Sequence, residues 1–271
     1  MTQGVWLARH PYLQRAADFH AQVATAMAYV PSVSARIPNW EDYLGDYQAG
    51  VPLLRSAQVV IDFEPAAAIL VSLVEGVASQ PLPEKLREEC RVSDAQLRGK
   101  TNAPRRAIAW LLGGEVFKPA HPGLLRYLGW TALARFLYPL GNAFGTWCDE
   151  EHWLRGYCPT CGSAPAMAQL VGTDPGRLRL LSCGCCGTRW RYRRIGCPFC
   201  ESADDHQLSA LAIEGEKYLR IDYCQSCRAY LKTYNGEGSE PLFLADWTSL
   251  HLDIIARDRG LKRLAASLYE L

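Results

Sequence analysis

The sequence predicts a multidomain α+β protein, in which a helical N-terminal domain precedes two tandem cysteine-rich metal-binding modules and a C-terminal helix. Two observations predict this class. Nine of the eleven cysteines lie between Cys158 and Cys227. Apolar stripes of helical period fill the chain before Arg155, whereas short alternating runs typical of strands follow it. We expect a helical domain over residues 1–154, a first module over 155–194, and a second module with the C-terminal helix over 195–271.

Composition and charge narrow the class of function. The chain has 271 residues with a formal charge of +1, which does not favour a dedicated nucleic-acid binder. The longest apolar run, Ala66 to Val77, contains Glu75 and is too short to cross a bilayer. The N-terminus lacks the pattern of a secretory signal, so we expect a cytoplasmic protein without membrane insertion. Thiols stay reduced in the cytoplasm, so clustered cysteines indicate metal or redox chemistry rather than disulfides.

Several helices are expected in the first half, from the apolar periodicity and from the placement of proline. Pro139 should kink or split the last of them. The expected segments are Pro11 to Val30, a helix starting near Asp62 to Pro65, Ser93 to Leu97, Ala103 to Leu112, and Gly123 to Cys148.

Strands of small hairpins are expected in the second half, followed by one helix. The alternating runs are Arg177 to Ser182, Trp190 to Arg193, Tyr218 to Tyr223 and Tyr230 to Tyr234. The tail from Asp246 to Glu270 is expected to be helical, with Asp246 or Thr248 as N-cap. Its buried side would be formed by Leu250, Ile254, Leu261, Leu264 and Leu268.

Four C-x-x-C pairs form an internal repeat. Gaps of 21 and 23 residues follow the first and third pairs, whereas only ten residues separate the second pair from the third. The spacing predicts two sequential four-thiolate metal sites. The predicted ligands are Cys158, Cys161, Cys183 and Cys186 for the first site, and Cys197, Cys200, Cys224 and Cys227 for the second. Iron and zinc both suit such sites, and an interleaved pairing of the four C-x-x-C units stays open.

Three glycines lie where the cysteine turns often need a positive φ: Gly162, Gly184 and Gly187. Cys185 is surplus and is interpreted as an unligated neighbour, with a substitute ligand as the alternative. No catalytic constellation or phosphate-binding loop is evident in the sequence, so we expect a non-enzyme.

The cysteine framework and its flanking residues resemble the FdhE family of formate dehydrogenase accessory proteins. The resemblance rests on the segment 156–165 around the first pair, the remaining three pairs, Trp190 and Arg194, Tyr230 to Lys232, and Ser249 to Asp253. It implies two rubredoxin-like (zinc-ribbon-like) modules that bind iron. It also implies a cytoplasmic assembly chaperone that acts on the catalytic subunit of a respiratory formate dehydrogenase and does not itself oxidise formate. Surplus Cys185 departs from the family's pattern.

Two other functions stay open, together with the position of the partner surface. A zinc-ribbon nucleic-acid binder would use the arginines near Trp190, and a rubredoxin-like redox protein would use cycling iron or a free thiolate. The segment from Gly187 to Gly196 is the candidate partner contact, with Trp190, Arg191 and Arg194 as its residues, because tryptophan and arginine are enriched in interface hot spots. The alternative is that Trp190 packs within the fold and Arg194 pairs with a carboxylate.

Overall fold

A computed structural model describes residues 2–114, 117–149, 151–173, 176–236 and 241–268. The predicted fold class is confirmed: a helical region leads into a sheet region with two groups of four cysteines, and a helix follows the sheet. No helix among these residues combines the length and the apolar character that a bilayer crossing requires.

Seven helices described in the structure precede the sheet. Most of them bury one apolar face in a common core, as the sequence periodicity predicts. They are α1 (Gln3–Arg9), α2 (Gln14–Ala28), α3 (Trp40–Ala49), α4 (Glu64–Ala78), α5 (Glu84–Arg98), α6 (Ala103–Leu111) and α7 (Pro122–Trp147).

Of the two outcomes expected at Pro139, a kink or a split of the last helix, the split does not occur. Helix α7 runs unbroken through it. A proline removes the hydrogen bond to the carbonyl four residues earlier, here that of Arg135. Both Arg135 and Pro139 are exposed, so water can satisfy that carbonyl and the helix continues.

One six-stranded sheet contains both cysteine modules. Its strands are β1 (Pro165–Val171), β2 (Leu178–Cys183), β3 (Arg189–Tyr192), β4 (Leu208–Ala212), β5 (Leu219–Cys224) and β6 (Tyr230–Tyr234). The order across the sheet is β3-β2-β1-β6-β5-β4, and the pairing is antiparallel except between β1 and β6. Each module therefore supplies three consecutive strands, and the parallel β1–β6 pair joins the two modules.

Both faces of the sheet are covered near this joint. Ala168 and Leu231 belong to the core that is continuous with helices α2 to α7. Met167 and Tyr230, on the neighbouring positions of the same strands, belong to a second core. That second core also contains Trp6 from α1, whose indole N–H donates to the carbonyl of Thr248 at 3.1 Å. The first helix of the chain thus packs against its C-terminal segment.

The C-terminal helix is shorter than the sequence analysis expects. After the short helix α8 (Pro241–Leu244) and a 3-10 turn from Asp246 to Ser249, helix α9 covers only Leu250–Asp258. Gly260 adopts φ +68°, and the amide of Leu261 donates to the carbonyl of Ala256, which ends the helix in a left-handed cap.

The predicted N-caps and buried face of that helix are therefore wrong in part. Asp246 and Thr248 lie in the 3-10 turn before the helix. Ile254 and Leu264 are 41% and 52% exposed, and of the five predicted residues only Leu261, at 8% exposed, is buried. Residues 269–270 of the predicted helix lie outside the described part of the chain.

Candidate metal centres

All four C-x-x-C pairs adopt the same tight turn. In each turn the amide of the first cysteine donates to the carbonyl of the residue five positions later. In three of the four turns, the amide of the residue after the second cysteine also donates to the carbonyl of the first cysteine. That residue has a left-handed φ in every turn: +79° at Gly162, +78° at Gly187, +60° at Glu201 and +61° at Arg228. The expectation of a positive φ is confirmed at Gly162 and Gly187, but Gly184 does not adopt one.

The first group of four sulfurs comes from the turn before β1 and the turn at the end of β2. The Sγ atoms of Cys158 and Cys186 are 3.5 Å apart, and those of Cys161 and Cys183 are also 3.5 Å apart. All four ligand atoms lie within 4.8 Å of one another. A tetrahedral ion with metal–sulfur bonds of about 2.3 Å needs sulfurs about 3.8 Å apart. The first group therefore could hold one metal ion.

The second group has the same construction and nearly the same size. Its Sγ–Sγ distances are 3.7 Å between Cys197 and Cys227 and 3.8 Å between Cys200 and Cys224. These distances match a tetrahedral thiolate site. Cys200 is exposed, however, whereas none of the first four cysteines is. The second group also could hold one ion, and it is the more exposed of the two.

The thiols within each group differ in how readily they ionise. Burial raises the pKa of Cys158 well above its ordinary value. The pKa of Cys161 lies well below its ordinary value, because the other cysteines of the group hydrogen-bond to its sulfur. In the second group, burial raises the pKa of Cys197 to about 12. Crowded negative charges cost free energy in a buried site unless a cation neutralises them. The donor set is therefore suited to a divalent ion that binds all four sulfurs as thiolates.

The helical region holds the first turn directly. The amides of Leu53 and Leu54 donate to the carbonyls of Pro159 and Thr160 at 2.8 and 2.9 Å. Tyr157, just before the turn, donates its hydroxyl to the carbonyl of Gly50 at 2.9 Å. Surplus Cys185 is buried beside the group without being one of the four converging sulfurs, and its amide points to the Cys183 sulfur at 3.4 Å. The first group is thus built into the helical core.

The predicted partner-contact residues occupy different environments. Trp190 is 4% exposed, and its indole N–H donates to the carbonyl of Arg155 at 2.9 Å, which favours the packing alternative for this side chain. Arg191 forms an ion pair with Glu151. Arg194 is exposed and lines a cleft, with Phe199, beside the second cysteine group.

A buried charged network, which the sequence analysis does not predict, joins the two family-like stretches outside the cysteine pairs. Lys232 on β6 is 1% exposed and lies 2.8 Å from Asp253 and 2.6 Å from Asp246. Arg263 contacts the same two carboxylates at 2.7 and 2.8 Å. Tyr230 donates its hydroxyl to Asp253 at 2.6 Å. The signal in the sequence is a lysine as the one charged residue of the strand Tyr230–Tyr234.

The fold and its two sulfur groups define a class: a tetracysteine metal-binding protein with a duplicated three-stranded module set against a helical domain. The comparisons with known proteins agree. The family described as "FdhE, central domain" matches residues 157–194. Over these residues the chain is similar to the FdhE family.

Individual relatives extend this match over different lengths. An FdhE homologue of Aquifex aeolicus is 26% identical over 92% of this chain and 83% of its own length. An FdhE homologue of Pseudomonas aeruginosa is 33% identical, but the match covers 62% of this chain and 57% of that protein. FdhE of Escherichia coli O1:K1 is 32% identical over 49% of this chain and 44% of that protein. The crystal structure of the FdhE protein from Pseudomonas aeruginosa matches 96% of this chain and 88% of that one with a TM-score of 0.63 at 23% identity, which is a likeness of fold.

Proposed function

We propose that this chain is a non-catalytic accessory protein that binds the catalytic subunit of a respiratory formate dehydrogenase in the cytoplasm and helps it mature. The observation that carries the proposal is the pair of four-sulfur groups on one sheet, with the flanking residues that resemble the formate dehydrogenase accessory family. Loops and turns fixed by metal ions present side chains from a rigid scaffold, which suits a protein that recognises another.

The ligands in this proposal are the eight cysteines of the four pairs. Cys158, Cys161, Cys183 and Cys186 bind the first ion, and Cys197, Cys200, Cys224 and Cys227 bind the second. Iron is our first choice for both sites from the resemblance, with zinc as the alternative, because four thiolates accept either metal. A visible spectrum of the purified protein separates them, since ferric tetrathiolate sites are coloured and zinc sites are not.

A deletion strain without a paralogue tests the function. We expect it to lose respiratory formate dehydrogenase activity and to regain it with the wild-type chain. Complementation with Cys224→Ser tests the need for the second site, and immunoblotting checks that the variant accumulates. Full activity in the deletion strain would contradict the proposal.

The partner surface is tested by co-purification with the catalytic subunit. Arg194→Glu should reduce recovery of the partner, because Arg194 is exposed beside the second sulfur group. Arg193→Glu is the matched control: it is an exposed neighbour whose guanidinium lies over the ring of Tyr192. Trp190→Ala and Arg191→Glu complete the set, with metal content measured for each variant. If all four variants recover as much of the partner as the wild type does, this segment is not the contact.

One observation favours electron transfer as a second candidate. The exposure of Cys200 places one ligand of the second group at the surface, where an electron could pass to a partner. Reversible reduction of an iron-loaded sample in a redox titration is the expected behaviour for that function. The nucleic-acid alternative has less support, because Arg189 and Arg191 already contact Gln169 and Glu151 within the chain.

A further inference from the structure

Three side chains that commonly ligate metals meet at a place away from both cysteine groups. His10 follows α1, Glu216 lies between β4 and β5, and His251 lies in the first turn of α9. One ligand atom from each lies within 4.8 Å of the others. The three side chains are 7%, 5% and 11% exposed. Segments far apart in sequence thus bring two imidazoles and one carboxylate into a nearly closed site.

The hydrogen bonds around His10 fix which of its nitrogens faces the site. Its Nδ1 lies 3.0 Å from the carbonyl oxygen of Trp6, which can only accept, so Nδ1 carries a proton. Its Nε2 lies 2.5 Å from Oε1 of Glu216. In a neutral ring, Nε2 carries a lone pair that faces the lone pairs of Oε1 of Glu216. A cation between these two atoms would stabilise this arrangement. A backbone carbonyl that holds the outer nitrogen is the usual support of a metal-ligating histidine.

His251 completes the arrangement from the other side of the carboxylate. Its Nε2 lies 2.9 Å from the same Oε1 of Glu216. Nitrogen and oxygen ligands at about 2.0–2.2 Å from an ion are separated by roughly 2.9–3.4 Å. The His251 pair already has this separation, and the His10 pair reaches it with a displacement of less than about 1 Å.

We propose that His10, Glu216 and His251 form a third metal site, which binds a divalent transition ion such as Zn²⁺. Two imidazoles and one carboxylate suit zinc and other first-row divalent ions. Trp6 stacks on His10 at 3.9 Å between ring centroids. The ring of Tyr12 is T-shaped to both imidazoles, and Tyr12 is 59% exposed, so the site borders the surface on that side. The ion links the N-terminal helix to the last module.

Zinc analysis of the full chain tests the site. The probe is Zn²⁺ itself: protein with both cysteine groups zinc-loaded is dialysed against micromolar Zn²⁺, and bound zinc is measured per chain. We expect three equivalents in the wild type and two in His10→Gln and His251→Gln. Calorimetric titration should show the third affinity about 100-fold weaker or more in either variant, since even outer-shell changes cost 10–100-fold.

A matched control separates this site from surface binding. His206 stands in an exposed run with Asp204 and Asp205, and its side chain is 92% exposed. His206→Gln should keep three equivalents. Retention of two equivalents in the His10 and His251 variants shows that the cysteine modules remain folded. Two equivalents in the wild type at saturating Zn²⁺ would overturn the proposal, as would loss of the third equivalent in His206→Gln alone.

Discussion

Replacement of Lys232 by methionine should destabilise the sheet strongly, because Lys232 is one of two cations that balance two buried carboxylates. Lys232 and Arg263 face Asp246 and Asp253 at 2.6 to 2.8 Å, and all four side chains are at most 15% exposed. Methionine preserves most of the volume of the lysine stem but removes its charge. The variant therefore leaves two buried carboxylates with one cation.

The expected cost follows from the burial of the network. Removal of one partner from a buried ion pair typically costs about 3–5 kcal/mol, because the other charge stays buried without compensation. A second change that restores the balance should recover part of this cost. In Lys232→Met with Asp253→Asn, one cation again faces one carboxylate. We expect the double variant to be more stable than the sum of the two single changes predicts, by about 0.5–3 kcal/mol.

Hydrogen exchange on β6 measures this locally in the metal-loaded protein. A loss of 3–5 kcal/mol corresponds to exchange roughly 150- to 5000-fold faster at amides that open with the sheet. Arg105→Met is the control, since it breaks an ion pair with Glu64 between two exposed side chains; it should change exchange little. Single variants at Lys232 and Asp253 with wild-type exchange, or strictly additive effects, would refute the argument.

Three further predictions concern the modules. Cys224→Ser should release one of the two cysteine-bound ions and speed hydrogen exchange over residues 195–236 while the helical region keeps its protection. A chelator should remove the ion next to exposed Cys200 first, which metal analysis over time after loading both sites would follow. Gly156→Ala places a methyl group against the backbone carbonyl of Pro198 and should lower stability by about 1–3 kcal/mol, whereas Gly145→Ala, with open space around it, should not.

Sequence periodicity was sufficient for the elements that bury one face. Helices α2, α4, α6 and α7 and strands β2, β3, β5 and β6 fall on predicted apolar patterns within a few residues. The predicted segment from Ser93 to Leu97 covers only the last part of α5, and α1 and α3 are not predicted. Strand β1 was missed because it lies at the centre of the sheet. Six of its seven residues are buried, on both faces, so it has no alternation to detect. Strand β4 lies at the edge of the sheet, and its residues are exposed or half-buried. It therefore has no clear alternation of apolar and polar residues either.

Different physical reasons limit the prediction of the sites. The cysteine groups could be proposed because C-x-x-C turns are local, and turn geometry is encoded within a few residues. The cluster of His10, Glu216 and His251 depends on contacts between residues more than 200 positions apart, which no local pattern reveals. The early end of α9 was encoded locally, however: Gly260 is a typical helix terminator that the apolar periodicity of the tail concealed.

The order of strands explains why the duplicated modules became unequal. Each module runs through a cysteine turn, two strands, a second cysteine turn and a third strand. The third strand of the second module, β6, pairs in parallel with the first strand of the first module, β1, so the repeats meet head to tail. This joint leaves β3 and β4 as edges and buries β6 between two layers. Buried β6 carries its lysine in the charged network with Asp246, Asp253 and Arg263, and Lys232 lies opposite Met167 of β1. We therefore expect a change at Lys232 to affect the first module through the β1–β6 pair.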